Sequence, residues 1–159
     1  MGRRNEDTAA VAAGGRTWPQ VHSGAYARRR RRVRRVWTDR ITAEDLRQRL
    51  AAGETLTVVD LRHPLDFEAD PYVVPGAQYI PADQIADRHG EIPRTGEVIL
   101  YCTCPDEGTS VKEAMRLKAK GIGRVRPLEG GFDGWRERGF PVQFRGPVLP
   151  DEHRILNAA

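Results

Sequence analysis

The sequence predicts an α/β domain built on a mainly parallel sheet. Three observations carry this. Short apolar runs with β-branched residues, Thr57-Val58-Val59 and Val98-Ile99, alternate with segments of helical period, which implies right-handed crossovers between parallel strands. Gly, Pro, Ser and Thr punctuate the alternation where helices start and stop. Two of the expected strands, one ending in Asp60 and one running into Cys102 and Cys104, deliver chemically able side chains to the end of the sheet where ligands of such folds bind.

Composition limits the rest. The chain has 159 residues, enough for one domain with extensions. Hydrophobic residues make up 39% and the net charge is +4. Mean hydropathy is −0.59, low for a fully folded chain of this size. No apolar run reaches the roughly 18 residues of a membrane span, and the first residues lack the apolar segment of a secretory signal. Two cysteines one residue apart make no disulfide framework, so a reducing, cytoplasmic setting is expected.

Three regions are expected. Residues 1–36 form a disordered basic extension, 37–143 the folded domain, and 144–159 a polar, loosely attached tail. The extension holds Arg28 to Arg32 and then Arg34 and Arg35, seven arginines in eight positions that repel one another and fit no core. Such a run suits an anionic membrane surface or a solvated linker; without zinc-finger spacing or an RNA-binding aromatic signature, no specific nucleic-acid partner is expected.

Taken in order, Trp37 to Ile41 is expected as a short first strand. Thr42 then caps a helix with Glu44 and Asp45 in its first turn, Leu46 and Leu50 on one face and Gly53 at its end. Leu56 to Leu61 is the second strand, and Pro64 opens a short helix with Leu65 and Phe67. Val73 to Ala77 turns, Gln78 to Ile80 is a third strand, and a helix holds Ile85. Gly90 to Gly96 is loop. Val98 to Tyr101 is a buried strand, followed by a helix with Val111, Ala114, Met115 and Leu117 on one side, stopped by Gly121. Arg124 to Leu128 is the last strand, with pairing expected to fail near Pro127. Gly130-Gly131 turns into a final helix bearing Phe132 and Trp135.

The chemistry concentrates in Cys102-Thr103-Cys104-Pro105-Asp106-Glu107-Gly108-Thr109-Ser110. Thr109 or Ser110 is expected to cap the following helix. A thiol in such a loop stands among unpaired N–H groups at the positive end of a helix, where the thiolate, the nucleophilic form, is favoured. The opposing reading is that one or both cysteines are small buried hydrophobes. A Cys-x-Cys metal site with His63 or His89 lacks a second ligand pair, so no metal is expected.

Four ordered segments resemble the rhodanese (sulfurtransferase) family: Val58-Val59-Asp60-Leu61-Arg62; Val74-Pro75-Gly76-Ala77 with Ile80-Pro81; the cysteine loop and its helix; and Leu128-Glu129-Gly130-Gly131-Phe132-Asp133-Gly134-Trp135. The likeness spans about Ile41 to Val142. It implies a three-layer α/β/α fold with a five-stranded, mainly parallel sheet, and transfer of sulfane sulfur through a cysteine persulfide to a thiol or cyanide acceptor, with no cofactor. The family's nucleophile opens a six-residue loop. Cys104 to Thr109 has that length, so Cys104 is the favoured match with Cys102 the runner-up; Pro105, Asp106, Glu107, Gly108, Thr109 and Ser110 form the substrate-binding loop, and Asp60 and Arg62 support the site. The stretch Tyr101 to Pro105, with the arginine run upstream, is also similar to rhodanese domains joined to DedA-type membrane proteins.

The loop departs from the family in charge. It has Asp106 and Glu107 and no basic residue between Thr103 and Val111, which sets it against dianionic thiosulfate. A competing class is a non-catalytic module using the same scaffold to bind a partner. A cysteine phosphatase or arsenate reductase would need arginine where Ser110 stands, counted from Cys104, or where Gly108 stands, counted from Cys102.

Overall fold

The computed structural model describes residues 39–146 together with Arg28. The expectations for the rest of 1–38 and for 147–159 lie outside the described residues. Thr42 caps helix α1 (Ala43–Ala51), its hydroxyl accepting from the Asp45 N–H, and Gly53 follows in the left-handed region at φ +73°. Strand β1 is Leu56–Asp60. Pro64 opens α2 (Pro64–Ala69), with the His63 ring accepting from the Leu65 N–H. Then come β2 (Tyr72–Val73), β3 (Gln78–Tyr79), α3 (Ile85–Arg88) and β4 (Glu97–Tyr101). Helix α4 (Gly108–Ala119), β5 (Val125–Pro127), α5 (Gly131–Glu137) and β6 (Gln143–Phe144) complete the order.

Four strands pair in the order β3-β1-β4-β5, all parallel, so their carboxyl ends share one edge. Among the described residues the expected first strand is reduced to a single parallel bridge from Ile41 to Leu128, which extends the four-stranded sheet beyond β5. Pairing also runs through Pro127 rather than failing there. Its carbonyl accepts from the Ile41 N–H, and the Leu128 N–H donates to Leu100. The donor that proline lacks would have pointed to the sheet's outer side, where its loss costs little.

Side-chain alternation along β4 splits the core in two. Val98, Leu100 and Cys102 face α4, joining Val111, Ala114 and Leu117. Ile99 and Tyr101 face the other way, joining Leu46 of α1 with Phe132 and Trp135 of α5. Helices thus cover both faces of the sheet, the arrangement parallel sheets require.

The start of the expected loose tail is pinned instead. Phe144 pairs with Tyr72 in an antiparallel β2–β6 ribbon, the Arg145 N–H donates to the Pro71 carbonyl, and its guanidinium donates to Ala77. Pairing between segments so distant in sequence has no local signature, which is why polarity alone misplaced it.

Candidate active site

The carboxyl end of β1 is built around a buried ion pair. Asp60 is fully buried and accepts from the Arg62 backbone N–H (3.0 Å), the Arg62 guanidinium (2.7 Å from Nη2) and the Tyr101 hydroxyl (3.0 Å). Burial and the Asp60 carboxylate push the Tyr101 phenol above its usual range, so it stays a donor. Arg62 also donates to the Asp70 and Tyr72 carbonyls and lies over the Phe132 ring. The pair is scaffolding. It ties β1 to β4 and to the chain before β2.

Next along the edge, β4 delivers the two cysteines to different environments. Cys102 continues the inward alternation of Val98 and Leu100 and is 1% exposed. Burial pushes its thiol up and the Cys104 side chain adds to the rise, against the pull of Ser110 and of the Cys104 backbone N–H. Cys104, two residues on, has left the sheet and is half-buried. Burial opposes its ionisation, but hydrogen bonds from the Thr109 hydroxyl and from Cys102, and then from the Thr109 N–H, outweigh it and hold the thiol below its ordinary value. Cys104 Sγ and Thr109 Oγ1 are 2.8 Å apart.

The loop between them is a single 3-10 turn, Pro105–Glu107, followed by α4. Thr109 and Ser110 do not cap this helix as expected. Gly108 begins it, and Glu107 fills the capping position in a left-handed conformation. The would-be caps lie inside the first turn: the Thr109 hydroxyl goes to the sulfur, and the buried Ser110 hydroxyl makes no hydrogen bond of ordinary geometry. Asp106 (φ 55°) and Glu107 (φ 49°) are consecutive left-handed residues without being glycine, a conformation costing about 1–3 kcal/mol each.

Glu107 shows what holds that strain. Its carboxylate is buried, accepting from Arg40 (2.7 Å) on one side and from the Gly130 N–H (2.7 Å) on the other. The expectation that both loop carboxylates stand beside the sulfur therefore fails for Glu107, which clamps the loop to the chain before α1 and to the turn before α5. Asp106 is exposed. The Gly130-Gly131 turn braces the site from below: the Phe132 N–H donates to the Cys102 carbonyl (3.0 Å), and a Cβ on Gly131 would overlap that carbonyl.

A cleft of about 330 Å³ opens over Cys104. Cys102, Cys104 and Thr109 lie along it with Arg62 and with His63, Asp66, Asp83 and Thr103. Of the residues singled out in the sequence, the structure brings Cys104, Cys102, Thr109, Arg62 and His63 to this cleft, with Asp60 behind Arg62. Pro105, Asp106, Glu107, Gly108 and Ser110 do not line it. Sequence reasoning missed Asp66 and Asp83; their one signal was position, just beyond the carboxyl ends of β1 and β3. Among the described residues no three His, Cys, Asp or Glu side chains stand close enough together to hold a metal ion.

A parallel α/β sheet that carries an activated thiol on a strand–loop–helix turn at its carboxyl edge defines a cysteine-centred α/β domain. Residues 42–138 match the rhodanese-like domain family, and the chain belongs to that family. It is 34% identical over 102 residues to a sulfurtransferase of Allochromatium vinosum, covering 64% of this chain and 92% of that protein. It is 35% identical over 114 residues to an HTH-type transcriptional regulator of Mycobacterium tuberculosis, covering 69% of this chain but 47% of the regulator. The fold matches a rhodanese-like domain protein of Staphylococcus aureus (TM-score 0.58, 24% identity, 68% of this chain and 99% of that one). It also matches a Lactobacillus plantarum protein (TM-score 0.59, 20% identity, 75% and 98%). No helix of the described residues is long and apolar enough to cross a membrane.

Proposed function

We propose that the domain is a sulfurtransferase or persulfide carrier with Cys104 as nucleophile. The Cys104 thiolate attacks the donor's sulfane sulfur. An S–S bond forms, the bond between that sulfur and the donor breaks, and the donor leaves with the electron pair. The terminal sulfur of the resulting Cys104 persulfide carries the negative charge, next to the Thr109 hydroxyl and N–H and the positive end of α4. A thiol or cyanide acceptor then takes the terminal sulfur and Cys104 leaves as thiolate.

The observation that carries this reading is the contrast between the two thiols: Cys104 is half-buried, faces the cleft and is held towards thiolate by Thr109, while Cys102 is buried and held towards thiol. Intact-mass analysis after incubation with a persulfide donor tests it. Wild type and Cys102→Ser should gain one sulfur atom and Cys104→Ser none; the reverse pattern moves the nucleophile to Cys102. A second reading, a non-catalytic binding or regulatory module, draws support from the likeness to part of a transcriptional regulator. Absence of a sulfur adduct with every donor tried, on a protein whose Cys104 still alkylates, would favour it.

A further inference from the structure

We propose that the mouth of the cleft is a charge filter: Asp66 and Asp83 admit to Cys104 thiols and persulfides bearing an ammonium group near the reacting sulfur, and disfavour anionic ones such as thiosulfate. This rests on the reading of Cys104 as sulfur carrier. It names the substrate class for that site and assigns specificity to two residues outside the cysteine loop.

Asp66 projects from α2 and Asp83 from the loop after β3; both are exposed and both line the cleft with Cys104. The one formal cation among the described lining residues is Arg62, whose side chain is 1% exposed. Its Nε and Nη2 point at Asp60, and Nη1 and Nη2 also donate to the Asp70 and Tyr72 carbonyls, so its charge is balanced by Asp60 and four of its five N–H donors are engaged within the fold. His63 has its Nδ1 occupied as acceptor from the Leu65 N–H. No basic residue lies between Thr103 and Val111. The acidic side chains are exposed, and among the described residues the one hydrogen bond to Asp66 comes from the Thr103 hydroxyl at 3.3 Å, a neutral partner.

The cleft thus carries opposite signs at its two ends. At the floor, the first turn of α4 and Thr109 favour negative charge on sulfur; at the mouth, two carboxylates favour positive charge on whatever brings or removes that sulfur. An ammonium two carbons from a sulfur fits this gradient, with the anionic sulfur inward and the cation outward. A thiosulfate dianion places its sulfonate oxygens at the acidic end. Since both carboxylates are solvated, discrimination of several-fold is expected, falling as salt screens it.

The experiment has two arms on the full chain. In the first, Cys104 is alkylated with iodoacetate and with iodoacetamide, which share a leaving group and differ in charge, and modification is mapped to Cys104. Relative to a neutral cysteine derivative, the iodoacetate-to-iodoacetamide rate ratio should be at least about threefold lower at low salt. It should rise towards the reference in Asp66→Asn, in Asp83→Asn and in high salt. A ratio equal to the reference, or one that neither replacement moves, overturns the filter. In the second arm, sulfur is removed from persulfide-loaded protein by cysteamine or by thioglycolate, each rate divided by that with a free small-molecule persulfide. Cysteamine should be favoured several-fold, and Asp66→Asn and Asp83→Asn should each reduce the preference. Loading with a flat charge series overturns the filter and leaves sulfur carriage standing. An alkylation bias on a protein that never loads sulfur overturns sulfur carriage and leaves the filter standing.

Discussion

Replacing Thr109 with valine removes one hydroxyl and little volume. That hydroxyl is 2.8 Å from Cys104 Sγ and is the largest influence favouring the thiolate against burial. A hydrogen bond to a charged group contributes about 1.5–3 kcal/mol. Cys104 is only half-buried, so about 1–2 kcal/mol is the fair expectation here, equivalent to roughly 5–30-fold in the thiolate-to-thiol ratio. The sign follows from which form is stabilised: losing a donor to the thiolate moves ionisation to higher pH. The assay is iodoacetamide alkylation of Cys104 as a function of pH. Wild type should reach its plateau at lower pH than an ordinary thiol. Thr109→Val should need higher pH, with alkylation near neutrality reduced roughly 2–8-fold and a plateau as high or higher, because a more basic thiolate is intrinsically more nucleophilic and offsets part of the loss of thiolate. Thr109→Ser should restore the wild-type profile. Superimposable wild-type and valine profiles would refute the role given to Thr109 and leave the helix terminus as the source of activation.

Two further expectations concern stability. Asp60→Asn keeps the shape of the buried pair but leaves the Arg62 charge uncompensated, so the domain should lose about 3–5 kcal/mol and roughly 10 °C or more in thermal midpoint, read by calorimetry or circular dichroism. Gly131→Ala must place a Cβ against the Cys102 carbonyl at φ +56°, and a loss of about 2–4 kcal/mol is expected, whereas Gly90→Ala, whose Cβ meets nothing within 4 Å, should be near neutral.

How far the sequence reached depends on the range of the interaction that decides each feature. Thr42, Gly53 and Pro64 act through hydrogen bonds and dihedrals within a few residues, and each stands where local rules put it. The β4 strand was legible because its apolar run matches burial on both faces. Thr109 was visible as a polar residue near a helix start, but whether its hydroxyl caps the helix or reaches the sulfur depends on two left-handed residues before it. Those depend in turn on Arg40 and Gly130, far away in the chain. Glu107 was misread for the same reason: its charge was plain in the sequence, and its direction was fixed by partners that only the fold supplies. Asp66 and Asp83 reach the cleft because β1 and β3 are neighbours in a parallel sheet, a topological fact carried by neither segment alone.

The contact between Gly131 and the Cys102 carbonyl bears on how this domain can be recombined. The thiol loop looks portable, a short strand end and a helix start contiguous in sequence. Its floor is made elsewhere. Gly130 receives Glu107, Gly131 leaves the space that the Cys102 carbonyl fills, and Phe132 donates to that carbonyl. The segment 102–110 and the turn 129–132 are therefore one inheritable part in two pieces. A chimera that takes the loop from one relative and the turn from another would join halves cut to different patterns, and in breeding variants by shuffling, the crossover points to keep are those that move both together.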